Sequence, residues 1–132
     1  MRRFSFVPLV IFVCLGCIGE ELKLQNVESC DAKVVQGNWD DDADYDGLLI
    51  NVALRDQDGY PILFDNVEIT VNIIIKSENI EIYEGIFRIY NWEEKIQIPF
   101  EKLITKVERG EVEIKVRMPD KRELEVKKEF QI

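Results

Sequence analysis

Apolar and polar residues alternate along most of the chain from residue 47 to residue 132. Successive side chains of a β-strand point to opposite faces of the sheet, so each alternating segment has one face for a core and one for water. A helix would instead need apolar residues three and four positions apart, and only residues 100–107 hint at that spacing, over a single turn. The pattern predicts strands at 48–54, 67–75, 96–100, 112–118 and 124–132.

The remaining segments follow the pattern less closely. Between residues 80 and 90 the phase of the apolar positions changes at Gly85, which predicts a β-bulge there or a turn at Glu84-Gly85. Residues 20–33 form either a spacer or a first edge strand through apolar positions that include Leu24 and Val27. About seven short strands separated by turn residues predict an all-β fold, with two antiparallel sheets packed as a β-sandwich.

The connection between the first two alternating segments adds a family resemblance. Asp56, Gly59 and Pro61 form the pattern Asp-x-x-Gly-x-Pro between two alternating strands within residues 50–75. This arrangement resembles the strand–turn–strand signature of bacterial immunoglobulin-like domains, although the cysteine pair and buried tryptophan of antibody domains are absent. The resemblance implies an immunoglobulin-like β-sandwich.

The first residues have the order of a secretory signal. Arg2 and Arg3 precede the almost wholly apolar stretch 4–15, and the small-residue sequence Leu15-Gly16-Cys17 follows. Leu-Gly-Cys at that place resembles the lipobox of bacterial and archaeal lipoproteins, with Cys14 where an aliphatic residue is usual. The resemblance implies cleavage before Cys17 and attachment of a diacylglyceryl chain to its thiol. The alternative is an uncleaved N-terminal membrane anchor.

These observations predict three parts of the chain. Residues 1–16 are a lipoprotein signal peptide, 17–32 hold the lipidated Cys17 and a tether or first edge strand, and 33–132 form the sandwich. The folded part is expected on the extracytoplasmic face of the cell membrane, held there by the lipid. As a whole the layout is similar to small surface lipoproteins of heat-loving archaea, whose richness in Ile, Glu and Lys it shares.

Charge and composition exclude several kinds of function. The net charge is −9, and it becomes −11 without residues 1–16, which carry two arginines and no acidic residue. Such a domain repels nucleic acid, which is not expected as a partner. The chain contains no histidine, so Ser-His and Cys-His catalysis and histidine-ligated zinc are excluded, and we expect no enzyme. Cys30 has no partner if Cys17 is lipidated, and a Cys17–Cys30 disulfide is the alternative.

The densest group of chemically active side chains is the acidic stretch 40–47. Asp42, Asp44 and Asp46 stand at alternate positions before Gly47, like the first half of a calcium loop. Ala53 occupies the position where an EF-hand has its closing Glu, so an EF-hand is excluded. A looser calcium site completed by other oxygen atoms and a solvated acidic loop both remain as hypotheses.

Several aromatic residues lie outside the alternating apolar positions. Trp39 precedes the acidic stretch, Tyr45 lies within it, and Trp92 falls in a polar turn. They are candidates for stacking on a ligand such as a sugar ring, and the alternative is that they pack at the ends of the sandwich. The function expected from all these features is a lipid-anchored, non-enzymatic binding protein for an envelope protein or cell-surface polymer. The alternative function is a surface calcium- or carbohydrate-binding module.

Overall fold

The computed structural model describes residues 22–132, so the expected signal peptide 1–16 and Cys17 lie outside the described residues. A single helical turn at 22–24 precedes the strands, and the 3₁₀ helix Phe100–Lys102 is the turn that the spacing in 100–107 predicted. The strands are β1 (Ser29–Gly37), β2 (Gly47–Arg55), β3 (Asp65–Ser77), β4 (Ile80–Asn91), β5 (Ile96–Pro99), β6 (Arg109–Arg117) and β7 (Glu123–Gln131).

These strands form two antiparallel sheets. One sheet has three strands in the order β1-β2-β5, and the other has four in the order β4-β3-β6-β7. The predicted all-β fold with two antiparallel sheets is therefore confirmed. Every alternating segment of the sequence lies within one of the strands or extends it by a single residue, because burial of one face selects the register that the alternation specifies.

The core lies between the sheets and is formed by the alternate apolar residues. In β3 the residues Ile69, Val71, Ile73 and Ile75 have 0% exposure, and β2 and β6 contribute similar rows. No polar or charged residue among 22–132 is buried, so the interior is held together by apolar contact. Phe64, just before β3, is the largest of the fully buried side chains.

The irregularity predicted for residues 80–90 exists at a different residue. Tyr83 pairs with Ile75 and Glu81 pairs with Lys76, so Ile82 is the extra residue and the register shift lies there, not at Gly85. Gly85 continues the strand opposite Ile73. A Cβ at Gly85 would lie 2.6 Å from the Tyr83 hydroxyl oxygen, so the missing side chain makes room for that ring. The sequence pattern detected the phase change but could not separate a bulge from a glycine that accommodates a neighbour.

The loops gather at two ends of the sandwich. Loops 38–46, 78–79 and 100–108 lie at one end, called here the acidic end because it contains the acidic stretch. The other end, called the N-terminal end, contains residues 22–28 and the loops 56–64, 92–95 and 118–122. Each strand runs between the two ends.

Residues 22–28 pack on the sandwich without forming the proposed edge strand through Leu24 and Val27. Leu24 is 2% exposed and Val27 is 0% exposed. Arg122 donates from Nη1 to the Val27 carbonyl at 2.7 Å and from Nη2 to the Leu24 carbonyl at 3.0 Å. The edge strand of the three-stranded sheet is β1, which begins at Ser29.

Candidate functional site

The acidic stretch forms the loop between β1 and β2. The last residue of the loop 38–46, Asp46, donates its N–H to the Gly37 carbonyl at 2.8 Å and accepts the N–H of Phe100 at its own carbonyl at 3.0 Å. These bonds fix the loop to the end of β1 and to the residue that follows β5. Asp41 adopts a left-handed backbone conformation with φ of 63°, which folds the loop back on itself.

Three carboxylates of this loop converge. One oxygen from each of Asp40, Asp42 and Asp46 lies within 4.8 Å of the other two. Two oxygens bound to one Ca²⁺ at about 2.3–2.6 Å can lie up to about 5 Å apart, so this spacing suits a shared calcium ion. Asp40 and Asp42 are exposed and Asp46 is half-buried, which leaves the cluster open to solvent.

The same carboxylates also cap backbone groups of the loop. Asp46 Oδ2 accepts the N–H groups of Trp39 at 2.6 Å and Asp40 at 3.2 Å. Asp40 Oδ1 accepts the Asp42 N–H, and Asp42 Oδ1 accepts the Asp44 N–H. Because a carboxylate can accept several bonds, these contacts leave coordinating capacity for a cation. They also show how the loop is formed from its own residues.

The structure brings together two of the three predicted ligands. Asp42 and Asp46 belong to the cluster, whereas Asp44 contributes its backbone N–H to Asp42 and no oxygen to the cluster. Asp40 takes the third place, and the sequence prediction had not named it. The alternate spacing of Asp40 and Asp42 was the available signal, because it continues the pattern one step toward the N-terminus.

The electrostatics of the cluster reflect its crowding. The N–H of Asp42 favours the charged form of Asp40, but loss of solvent together with the neighbouring Asp46 and Asp42 carboxylates outweighs it. The pKa of Asp40 is therefore raised above its ordinary value. A bound cation would reverse this effect by neutralising the like charges.

Gly47 follows the acidic stretch at the place where the glycine of a calcium loop permits a sharp turn, but it does not make such a turn here. Its φ is not in the left-handed region, whereas Gly59 has a φ of 86°. A Cβ at Gly47 would overlap the carbonyl of Ile98, so the glycine permits the close approach of β2 and β5.

The three candidate stacking residues do not form one surface. The ring of Trp39 covers Gly37, where a Cβ would lie 3.1 Å from its Cζ3, and Tyr45 is 58% exposed on the same loop. Trp92 instead lies at the N-terminal end, where its backbone N–H donates to the Phe64 carbonyl at 3.0 Å. Any stacking site at the acidic end would therefore involve Trp39 and Tyr45 without Trp92.

Cys30 lies on the core-facing row of β1, opposite Leu54, and is half-buried. Burial, followed by the negative charges of Asp31 and Glu125, raises the pKa of this thiol to about 11. A neutral thiol is a weak nucleophile and a weak metal ligand, so this position does not suit catalysis. Its proposed alternative partner, Cys17, lies outside the described residues.

Comparison of the chain with protein-family models, with curated proteins and with solved structures found no match in any of the three. Within residues 22–132, no helix has both the length and the apolar composition that a membrane span requires.

Proposed function

We propose that the protein is a lipid-anchored, extracytoplasmic, non-enzymatic binding protein with an immunoglobulin-like domain. Its partner would be an envelope protein or a cell-surface polymer, bound through the loops at one end of the sandwich. The observation that carries this proposal is the strand order of the two sheets, combined with the lipobox-like sequence ahead of them.

The strand order supports the immunoglobulin-like assignment. Constant-type immunoglobulin domains place strands A, B, E and D in one sheet and C, F and G in the other. Numbered along the chain, β1, β2 and β5 correspond to A, B and E, and β3, β6 and β7 correspond to C, F and G. The one difference is β4, which pairs with β3 instead of β5.

The acidic end is the proposed binding end. It carries a groove of about 1150 Å³ between the β3–β4 turn and residues 105–111. Ile104 is 81% exposed and Ile80 is 64% exposed beside it, and Tyr45 projects from the acidic loop. Exposed apolar and aromatic groups surrounded by charge are typical of protein-binding surfaces.

The N-terminal segment supports attachment close to the membrane. Arg122 fixes Leu24 and Val27 to the sandwich, and Cys17 precedes the first described residue by only five positions. Even fully extended, that stretch would span about 17 Å. A lipid on Cys17 would therefore hold the N-terminal end near the bilayer and leave the acidic end exposed to partners.

Intact-mass measurement of membrane-extracted protein tests the anchoring. We expect loss of residues 1–16 and an added diacylglyceryl mass on Cys17, and Cys17→Ser should abolish both. Molecules that mostly retain residues 1–16 would contradict the lipoprotein proposal. Co-purification of the wild-type chain from membranes, compared with a variant altered at Ile104 and Tyr45, tests the binding end.

The second candidate function is a surface calcium-binding module. The converging oxygens of Asp40, Asp42 and Asp46 favour it, because their spacing of 4.8 Å or less matches shared coordination. The absence of a closing bidentate Glu implies weak binding, on the order of 10⁻⁴–10⁻³ M. Such affinity would suit the millimolar calcium found outside many cells. A calcium titration followed by the melting temperature, in which Asp42→Asn is compared with Asp44→Asn, tests this candidate.

A further inference from the structure

Two sheets in an open sandwich have four edge strands, and three of these are protected in this protein. β5 has only four residues. β1 and β7 lie against each other, where Lys128 forms an ion pair with Asp31. Short length and cover by another element are among the usual means by which edge strands avoid pairing with other chains.

The fourth edge, β4, has none of these protections over its central part. It is twelve residues long and contains no proline, and among residues 22–132 its only strand partner is β3. Two loop contacts, the Ile104 N–H on the Ile82 carbonyl at 3.0 Å and the Tyr90 N–H on Glu94 Oε1 at 2.9 Å, lie outside residues 83–89. Ile86, near its middle, is 65% exposed. The bulge at Ile82 interrupts the strand near its first residues, but residues 83–89 keep a regular register with β3. This stretch can accept a further antiparallel strand through its outward-facing backbone groups.

The charges of β4 are complementary to a second copy of themselves. An antiparallel pairing centred on Ile86 places Ile86 opposite Ile86 and Glu84 opposite Arg88, twice by symmetry. These three side chains share the outer face of the sheet, because strand residues two apart point the same way. Directly opposite residues lie about 4.5–5.5 Å apart, so both Glu84–Arg88 pairs would be in contact. In the single chain, Arg88 Nε already contacts Glu68 Oε1 at 2.9 Å, with the arginine side chain 64% exposed.

We propose that two copies of this chain associate through β4, in antiparallel register centred on Ile86. The pairing joins the two four-stranded sheets into one continuous sheet of eight strands. It is a two-fold interface in which each copy uses the same surface. Backbone hydrogen bonds supply the affinity, and the Glu84–Arg88 pairs fix the register. This association does not depend on the proposed anchoring or on the identity of any other partner.

Cysteine cross-linking of the detergent-solubilised full chain tests the register. The parent carries Cys30→Ala, so that the half-buried thiol cannot contribute. We expect Ile86→Cys to give a disulfide dimer under mild oxidation, because only the central residue faces its own copy. Glu84→Cys and Arg88→Cys should each cross-link poorly alone, and the variant carrying both should cross-link well. Dimer yield of Ile86→Cys no higher than the parent, or lower than Glu84→Cys alone, would overturn the proposal.

Charge exchange tests the same interface without new cysteines. In the detergent-solubilised full chain, Arg88→Glu places four acidic groups together, and we expect the dimer dissociation constant to rise at least about tenfold. Combining Glu84→Arg with Arg88→Glu should restore the original value, because the pairs are re-formed with exchanged sides. Glu68→Gln is the matched control, since it removes the contact of Arg88 within the chain and should leave the dimer intact. Sedimentation velocity that finds only monomer in the wild type, or no recovery in the double exchange, would overturn the proposal.

Discussion

The ammonium group of Lys128 lies 2.8 Å from Oδ1 of Asp31 and links the edge strand of one sheet to the edge strand of the other. Lys128 pairs with Val112, so it stands in the core-facing row of β7 where the neighbouring positions are apolar. Its long side chain reaches past the edge of the core to the carboxylate of β1. The hydrogen bond from Lys128 is the main reason that the pKa of Asp31 lies below its ordinary value.

Removing this link should destabilise the protein most at neutral pH. A carboxylate with a lowered folded pKa contributes stability above its unfolded pKa, near 3.8, and loses it as pH falls through the folded value. Both side chains are 39% exposed, so the expected loss for Lys128→Met is only about 0.2–1 kcal/mol. Urea unfolding at pH 7 and pH 3 measures it, and the difference from wild type should shrink at pH 3. Lys102→Met, which removes an exposed charge elsewhere, is the control; an equal effect there would contradict the assignment.

A new carboxylate should unfold the protein when it is placed on the buried face of β3 and should be tolerated on the other face. Val71 has 0% exposure, so Val71→Asp buries an unpaired charge at a cost comparable with the whole stability of a domain, about 5–15 kcal/mol. Thr70 faces the other way and pairs with Arg88 on β4 and Arg117 on β6. Thr70→Asp would lie between these two cations and should leave stability unchanged or slightly higher. Circular dichroism melting curves check both, and similar losses from the two changes would contradict the register.

The thiol of Cys30 should react slowly with alkylating reagents. With its pKa raised from 9.0 to about 11, the thiolate fraction at pH 8 falls about 100-fold, and alkylation should slow accordingly. Mass spectrometry of the peptide containing Cys30 measures the rate, with the denatured chain as control.

The same raised pKa sets a pH dependence of stability. The contribution of the neutral thiol is fully present below pH 9 and is lost as pH rises from 9 through about 11. The Cys30→Val variant has no titrating group at this position. Its free energy of unfolding should therefore increase relative to that of wild type as the pH rises from 9 to about 11. A constant difference between the two proteins from pH 8 to pH 11 would refute the raised pKa.

Calcium should stabilise the protein through Asp42 and not through Asp44. If the cluster binds calcium, an ion concentration ten times the dissociation constant adds about 1.4 kcal/mol to stability. We expect calcium to raise the melting temperature more than magnesium at matched ionic strength. Asp42→Asn should remove the difference, because Asp42 contributes an oxygen to the cluster. Asp44→Asn should retain it, since Asp44 supplies only a backbone N–H to Asp42. If calcium and magnesium raise the melting temperature of the wild type equally, the loop has no specific calcium site and is a crowded acidic surface.

Much of the fold was predictable because strand formation here depends on neighbouring residues. The alternation in 67–75 determines which face of β3 is buried, and the core residues Ile69, Val71 and Ile73 follow from it directly. The acidic stretch was recognisable for the same reason, since its aspartates are close in sequence. The immunoglobulin-like assignment, the lipid on Cys17 and the calcium site stay predictions.

Other features depended on where distant parts of the chain meet, which alternation does not encode. Asp40 and not Asp44 joins Asp42 and Asp46, because the left-handed Asp41 and the bonds to Gly37 and Phe100 set the path of the loop. The position of the bulge, at Ile82, became visible only from the register of β4 against β3. Lys128 stands in an apolar row of β7 and forms an ion pair with Asp31, which is nearly a hundred residues earlier in the chain. Sequence alternation therefore determined the strands and their buried faces, while the packing of one sheet on the other decided which charged groups became neighbours.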